Sequence, residues 1–377
     1  MEKEIENLKE HKFLGVVLTK SNTLLSSMKK LIINTLQLIN KDKINKFELK
    51  KEVDKGILEL QPSLRSLCWK IFMNYLPEET ENWESYIDDK RNEYNEMKNK
   101  FTAHLNSIIK NNKDHPLNTT SDSIWQGYFK SHQLYEIIEK DLKRTRNEEP
   151  FFQKQSKTNP KETNLEVLKR ILFIFAQKYP GICYVQGLNE ILATIFYCFS
   201  LDQNPYFNIE VEADSFYCFE SLVTRVGDIY ITEKDYTETG LQTRLEYIKF
   251  ILQTIDYELY SALNDTKVDI SLIAFKWYTL FFSQDFSIKG TMRLWDYLLA
   301  QKDLFKFLNI LCLCVLKVKR KIIMNRDFSE IMDALQTLKE EDITPIISKY
   351  KEIETEIDNH QSFLNYNAFT QTIKHHK

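Results

Sequence analysis

Arg144 stands three residues after Asp141 in the run Ile138-Glu139-Lys140-Asp141-Leu142-Lys143-Arg144-Thr145. Gln186 stands in Tyr184-Val185-Gln186-Gly187, shortly after the break Tyr179-Pro180-Gly181. An arginine and a glutamine displayed at helix ends or loops suit one chemistry, phosphoryl transfer to water in a nucleotide site that another protein provides. The guanidinium neutralises charge building on the phosphoryl oxygens, and the amide orients the attacking water. Asp141 and Arg144 share a face of a helical turn, so the carboxylate can hold the guanidinium before any partner arrives. The plainer reading of that pair is a surface ion pair worth ~0–1 kcal/mol. For Gln186 the plainer reading is a helix-capping amide. Arg146 competes with Arg144 for the same role.

The elements around these residues follow from hydrophobic spacing. Leu165, Leu168, Ile171, Leu172, Phe175 and Tyr179 form one helical stripe, which predicts an amphipathic spacer from about Leu165 to Lys178. Thr163 or Asn164 supplies its cap, and Pro180-Gly181 stops it. A second helix, Leu188 to Phe199, places Gln186 and Gly187 near a helix N-terminus, where the dipole favours negative charge. Gly187 lets the backbone approach a partner closely. Asn189 and Glu190 read as local bracing for that turn.

Ile138-x-x-Asp141-x-x-Arg144 and Tyr184-x-Gln186-Gly187 resemble the paired signatures of the TBC domain, the GTPase-activating module for Rab GTPases. Leu64-Arg65-x-x-x-Trp69, after Gly56-Ile57, resembles that domain's opening motif. Trp277 to Phe286 followed by Arg293-Leu294-Trp295-Asp296 resembles its C-terminal half. All four occur in the family's order, from about Gly56 to Arg320.

The resemblance implies an all-α, multi-helical architecture of two helical subdomains with both finger motifs in the N-terminal half. It implies that Arg144 enters the nucleotide site of a GTP-bound Rab and that Gln186 positions the hydrolytic water in place of the GTPase's own glutamine. Asp141, Tyr184, Gly187, Ile138 and Thr145 would support these fingers, while Arg65, Trp69, Trp277, Trp295 and Asp296 would brace the fold. The C-terminal half would add contacts to the Rab. GTP and Mg2+ would belong to the partner, leaving this chain no cofactor of its own. Leu188 stands where many members have Met, and Lys276 precedes Trp277 where Arg is common. These departures bear on local packing and on the choice of Rab. The alternative function is a non-catalytic scaffold or effector that binds Rab-GTP without accelerating hydrolysis.

The expected domain plan is an N-terminal helical extension (1–48), a central domain (49–324, divided into 49–204 and 205–324), and C-terminal helices with a polar tail (325–377). In the extension, Leu24, Leu25, Met28, Leu31, Ile32, Leu36 and Ile39 recur at helical spacing after a cap at Ser21 or Asn22. Residues 78–122 predict a largely solvated helix and then a loop, 111–123. In the second half the expected helices run Ala213 to Val226, Leu241 to Leu263, Ser271 to Phe282, Thr291 to Ala300, Leu304 to Lys319 and Phe328 to Leu338. The tail from about Thr355 is expected to be polar and peripheral.

Composition narrows the classes. Only 8 Gly and 8 Pro among 377 residues argue against a loop-rich β fold. A net charge of −3 gives no bulk attraction to nucleic acid. No phosphate-binding Gly-x-x-x-x-Gly-Lys-Ser/Thr loop occurs, no Gly-x-Gly-x-x-Gly, no nucleophile elbow and no metal-site spacing of His, Cys and carboxylates. The six cysteines lack Cys-x-x-Cys pairs and read as buried, reduced thiols, with Cys183 beside the second finger the exception that could react. The start, Met1-Glu2-Lys3-Glu4-Ile5, has no apolar signal core, and no apolar run approaches the ~20 residues that span a bilayer. The expectation is a cytoplasmic monomer, transiently at endomembranes and associated with them at most peripherally through the Rab. The run Lys317-Val318-Lys319-Arg320-Lys321 reads as a solvated helix end, or more sharply as a contact for anionic lipid.

Overall fold

The computed structural model describes residues 26–110, 124–202, 204, 207, 209–360 and 362–374, and every regular element among them is helical. The expected cap at Ser21 or Asn22, Leu24, Leu25 and the loop 111–123 lie outside the described residues. The chain divides into two units, Met1–Thr224 and Arg225–Lys377.

The first unit begins with α1 (Ser26–Ile39), which buries Ile32, Leu36 and Ile39 as its periodicity predicts, and Ile33 besides. Then come α2 (Lys46–Asp54), α3 (Ile57–Leu60) and α4 (Arg65–Phe72). On α4, Trp69 is wholly buried and Arg65 donates from Nη2 to the Leu58 carbonyl at 3.0 Å, so both brace the opening turn. The long α5 (Trp83–Lys110) is less solvated than its charge suggests, because Trp83, Ile87, Arg91 and Tyr94 are buried. α6 (Ile124–Leu142), α7 (Asn164–Lys178) and α8 (Leu188–Ser200) follow, with α7 packed against both α6 and α8. α7 starts with a capping box, in which Thr163 accepts from the Glu166 amide and Glu166 reaches back to the Thr163 amide. Every residue of α8 is buried.

Two acids on α9 (Val211–Arg225) tie this unit together. Asp214 is wholly buried. It accepts from Arg91 Nε and Nη2 at 3.0 Å each and from the Tyr75 hydroxyl at 2.7 Å, and it lies 3.4 Å from Lys70 Nζ. Glu212 accepts from Arg170 at 2.6 and 2.8 Å, from the Tyr94 hydroxyl at 2.8 Å and from Lys98 at 3.1 Å. Two carboxylates thus collect α4, α5 and α7, an arrangement with no signature in local sequence. Removing Asp214 would take a buried carboxylate from Arg91 and Lys70, and breaking a buried pair of this kind costs about 3–5 kcal/mol.

The second unit contains α10 (Leu241–Ile255), α11 (Tyr257–Asp265), α12 (Ile270–Leu280), α13 (Ile288–Leu299), α14 (Leu304–Val318), α15 (Arg320–Ile323), α16 (Phe328–Gln336), α17 (Glu340–Asn359) and α18 (Tyr366–Lys374). The single helix expected over 241–263 is two helices. Asp256, with φ −151°, ends α10, and its side chain accepts from the Leu259 amide to cap α11. α14 is the central core helix and packs against α17, which buries Ile343, Ile346, Tyr350, Ile353 and Ile357. The region from Thr355 is therefore not a peripheral tail: α17 continues to Asn359, and α18 sets Tyr366 and Phe369 against Tyr247, with ring centroids 4.8 and 5.1 Å apart. Trp277 is wholly buried and stacks on Phe282, while Trp295 donates from Nε1 to the Phe281 carbonyl at 2.8 Å beside the buried Asp296.

The basic run that closes α14 is not a solvated patch. Lys317 pairs with Glu356 at 2.9 Å, Lys319 with Asp342 at 2.6 Å, and Arg320 with Asp256 and Glu258. The acids of α11 and α17 use these cations within the fold, which removes the basis for a lipid contact there. Among the described residues no helix is long and apolar enough to cross a membrane.

Candidate functional site

The first unit holds all the residues expected at the site. α6 ends at Leu142, and the chain continues through tight turns in which the amides of Arg144 and Thr145 bond the carbonyls of Asp141 and Leu142 at 3.1 and 3.0 Å. Ile138 is wholly buried and anchors the last full turn of the helix. The turn that follows throws Arg144 outward, with 58% of its side chain exposed, and folds Arg146 inward, with 5% exposed.

The two arginines have different company. Arg144 Nη2 meets Asp141 Oδ1 at 2.7 Å, which fixes one edge of an otherwise open guanidinium. Arg146 has φ +45°, and its Nε lies 2.9 Å from Oε2 of Glu190 in the first turn of α8, both side chains buried. Burial pushes the Glu190 carboxyl above its ordinary value, and the Arg146 charge opposes that shift. Glu190 and Arg146 form a buried pair, which takes Arg146 out of reach of an incoming ligand.

The second loop descends from α7. The Ile182 and Cys183 amides both bond the Tyr179 carbonyl, and Cys183 takes φ +57° in an exposed position. The other five cysteines are buried and reduced, as expected. Gln186 is exposed at the tip of this loop. Gly187 follows with φ +104° and opens α8, a left-handed geometry that favours glycine over any other residue.

One network joins the loops. The Tyr184 hydroxyl donates to Asp141 Oδ2 at 2.7 Å and lies 3.0 Å from Asn189 Oδ1. Asn189 Oδ1 also accepts from the Gly187 amide at 3.0 Å, and its Nδ2 donates to Thr145 Oγ1 at 2.8 Å. Thr145 donates in turn to the Asp141 carbonyl at 2.9 Å. Burial, followed by the bond to Asp141, pushes the Tyr184 hydroxyl far above its usual range, so it stays a donor at any working pH. The structure therefore brings together Ile138, Asp141, Arg144, Thr145, Tyr184, Gln186 and Gly187. Arg65, Trp69, Trp277, Trp295 and Asp296 lie elsewhere as bracing.

Asn189 carries more than its expected local role, since it braces the first loop as well as its own turn. Only its place two residues after a helix-opening glycine hinted at this, because Thr145 is 44 positions away. The arrangement presents one cationic fork and one amide on adjoining, mutually bonded loops. These are hydrogen-bond donors suited to an oxyanion and a water.

A family model described as the Rab-GTPase-TBC domain matches residues 62–324. TBC1 domain family member 13 from Homo sapiens is 30% identical over 398 aligned positions, covering 88% of this chain and 99% of that protein. The GTPase-activating protein GYP1 from Saccharomyces cerevisiae is 26% identical, over 70% of this chain and 39% of that protein. Among solved structures, the Ypt/Rab-GAP domain of Gyp1p superposes with a TM-score of 0.69 at 23% identity, covering 88% of this chain and 99% of that one. The Chlamydomonas flagellar RabGAP TBC domain superposes with a TM-score of 0.54 at 18% identity, covering 86% of this chain and 92% of that one. These two superpositions bear on the fold, which is all-α in each case.

Proposed function

We propose that this chain, which belongs to the Rab-GTPase-TBC domain family, stimulates GTP hydrolysis on a Rab-family small GTPase with Arg144 and Gln186 as its two catalytic residues. Arg144 enters the partner's nucleotide site and neutralises charge at the β- and γ-phosphates. Gln186 orients the attacking water in place of the GTPase's own glutamine. GTP and Mg2+ are the partner's ligands. The chain acts as a monomer and meets endomembranes through the Rab it serves, in vesicle trafficking.

The observation that carries this reading is the division of labour at Asp141. One carboxylate oxygen holds Arg144 and the other holds Tyr184, two residues before Gln186. A guanidinium already oriented loses less freedom when it enters the transition state. An arginine supplied in trans is worth ~10³–10⁵ in rate, or about 4–7 kcal/mol at ~1.4 kcal/mol per tenfold.

Single-turnover GTP hydrolysis across purified GTP-loaded Rabs tests the proposal. One or more Rabs should respond to the wild-type chain, and Arg144→Ala and Arg144→Lys should abolish the response with the fold intact. Lysine keeps the charge but lacks the planar fork. A scaffold that only binds Rab-GTP would show binding without acceleration, and near wild-type stimulation by either variant would refute the role of Arg144.

A further inference from the structure

We infer that Ile137 is a docking residue for the GTPase that Arg144 serves, setting affinity rather than chemistry. The inference rests on the proposed function and adds to it a residue outside the signature motifs. Ile137 is 52% exposed, one position before the wholly buried Ile138. A single exposed aliphatic side chain is ordinary. Its position gives it meaning.

Ile137, Asp141 and Arg144 are spaced i, i+4 and i+7, which places them along one stripe of α6 and the turn that continues it. At 1.5 Å per residue, Ile137 lies about 10 Å along the axis from Arg144. A specific interface covers about 800 Å² on each partner, a disc roughly 16 Å in radius. An interface of this size centred on Arg144 reaches Ile137 as well.

Tyr135, also exposed on α6, is engaged differently. Its ring meets Phe173 edge-on at 5.5 Å, and Lys169 Nζ sits 4.3 Å from its centroid. Among the described side chains of α6, Ile137 is the large apolar group most open to solvent. Its neighbours Glu136, Lys140 and Lys143 are exposed charges. An apolar centre inside a charged rim is the anatomy of a binding hot spot. A contact of this kind acts equally on the ground and transition states, so it lowers the activator concentration needed and leaves the maximal rate alone.

The test is single-turnover hydrolysis by a responding Rab, titrated with wild-type chain, Ile137→Leu, Ile137→Asp and Leu201→Asp, with circular dichroism to confirm folding. Leu201 is a matched control. It is also 52% exposed, but it follows α8 at the end away from Gln186, about 20 Å off at 1.5 Å per residue. Ile137→Asp should raise the half-saturating concentration tenfold or more while keeping the maximal rate within about twofold. Ile137→Leu and Leu201→Asp should match the wild type. The inference is overturned if Ile137→Asp saturates at the wild-type concentration, if its loss is in maximal rate alone, or if Leu201→Asp is equally impaired. A wild-type chain that stimulates no Rab would instead sink the proposed function, so the two failures are distinguishable.

Discussion

The Tyr184 hydroxyl donates to Asp141 Oδ2 at 2.7 Å, on the same carboxylate whose other oxygen holds Arg144. The residue that shapes the glutamine's loop thus also sets the arginine's orientation. Neither loop is positioned alone.

Tyr184→Phe isolates that coupling. It removes one bond to a carboxylate, worth ~1.5–3 kcal/mol, and keeps the ring. If the whole loss falls on orientation of Arg144, the maximal stimulated rate drops by about 10–100-fold, with little change in half-saturating concentration. A Tyr184→Phe protein with an unchanged maximal rate would show that Asp141 orients Arg144 without help.

Arg144 and Arg146 differ by two positions and should fail in opposite ways. Arg146→Ala leaves Glu190 buried without its partner, which should cost about 3–5 kcal/mol of stability. Arg144→Ala removes an exposed side chain and leaves Asp141 its bond from the Tyr184 hydroxyl, so it should lower the melting temperature much less. Thermal melts of the two variants beside their activities decide this. A stable Arg146→Ala protein would contradict the buried pair.

Glu212 gives the fold a pH signature. Burial raises its pKa, but Arg170, Lys98 and the Tyr94 hydroxyl outweigh burial and hold the carboxyl below its ordinary value. A depressed acid contributes stability that is complete above its unfolded pKa of ~4.3 and is lost as pH falls through the folded value. The stability gap between wild type and Glu212→Gln should therefore be full at neutral pH and narrow below about pH 4.3. Denaturant unfolding from neutral to acid pH measures it, and a gap constant throughout would contradict the assignment.

Gln186 can be tested with a responding Rab whose own catalytic glutamine is replaced. The wild-type chain should still accelerate that GTPase, and Gln186→Ala should not. If only Rabs with their own glutamine respond, the amide does not come from this chain.

Much of the finger region could be read in the sequence because its signals are local. Thr163 and Glu166 announce the start of α7, Pro180-Gly181 its stop, and Gly187 the left-handed residue that opens α8. The helical stripe of α17 is also present in the sequence, at Ile343, Ile346, Tyr350, Ile353 and Ile357. Pro345 and the surrounding charges masked it, although the helix runs on through that proline. The break at Asp256 escaped because apolar periodicity runs on through a residue whose polar side chain starts the next helix. The pairings of Asp214 with Arg91, Asn189 with Thr145 and Lys319 with Asp342 were illegible for a different reason. Contacts between residues distant in the chain leave no period or spacing to read.

The central claim is that Arg144 and Gln186 act on a partner's phosphates in the transition state. Groups of that kind bind a transition-state mimic more tightly than the ground state. The most direct measurement is the affinity of the chain for GDP-loaded, Mg2+-bound Rab with and without aluminium fluoride. The account predicts that fluoride tightens binding of the wild type by at least a hundredfold and tightens Arg144→Ala little or not at all. Equal affinities with and without fluoride for the wild type, or an equal gain in the variant, would contradict it.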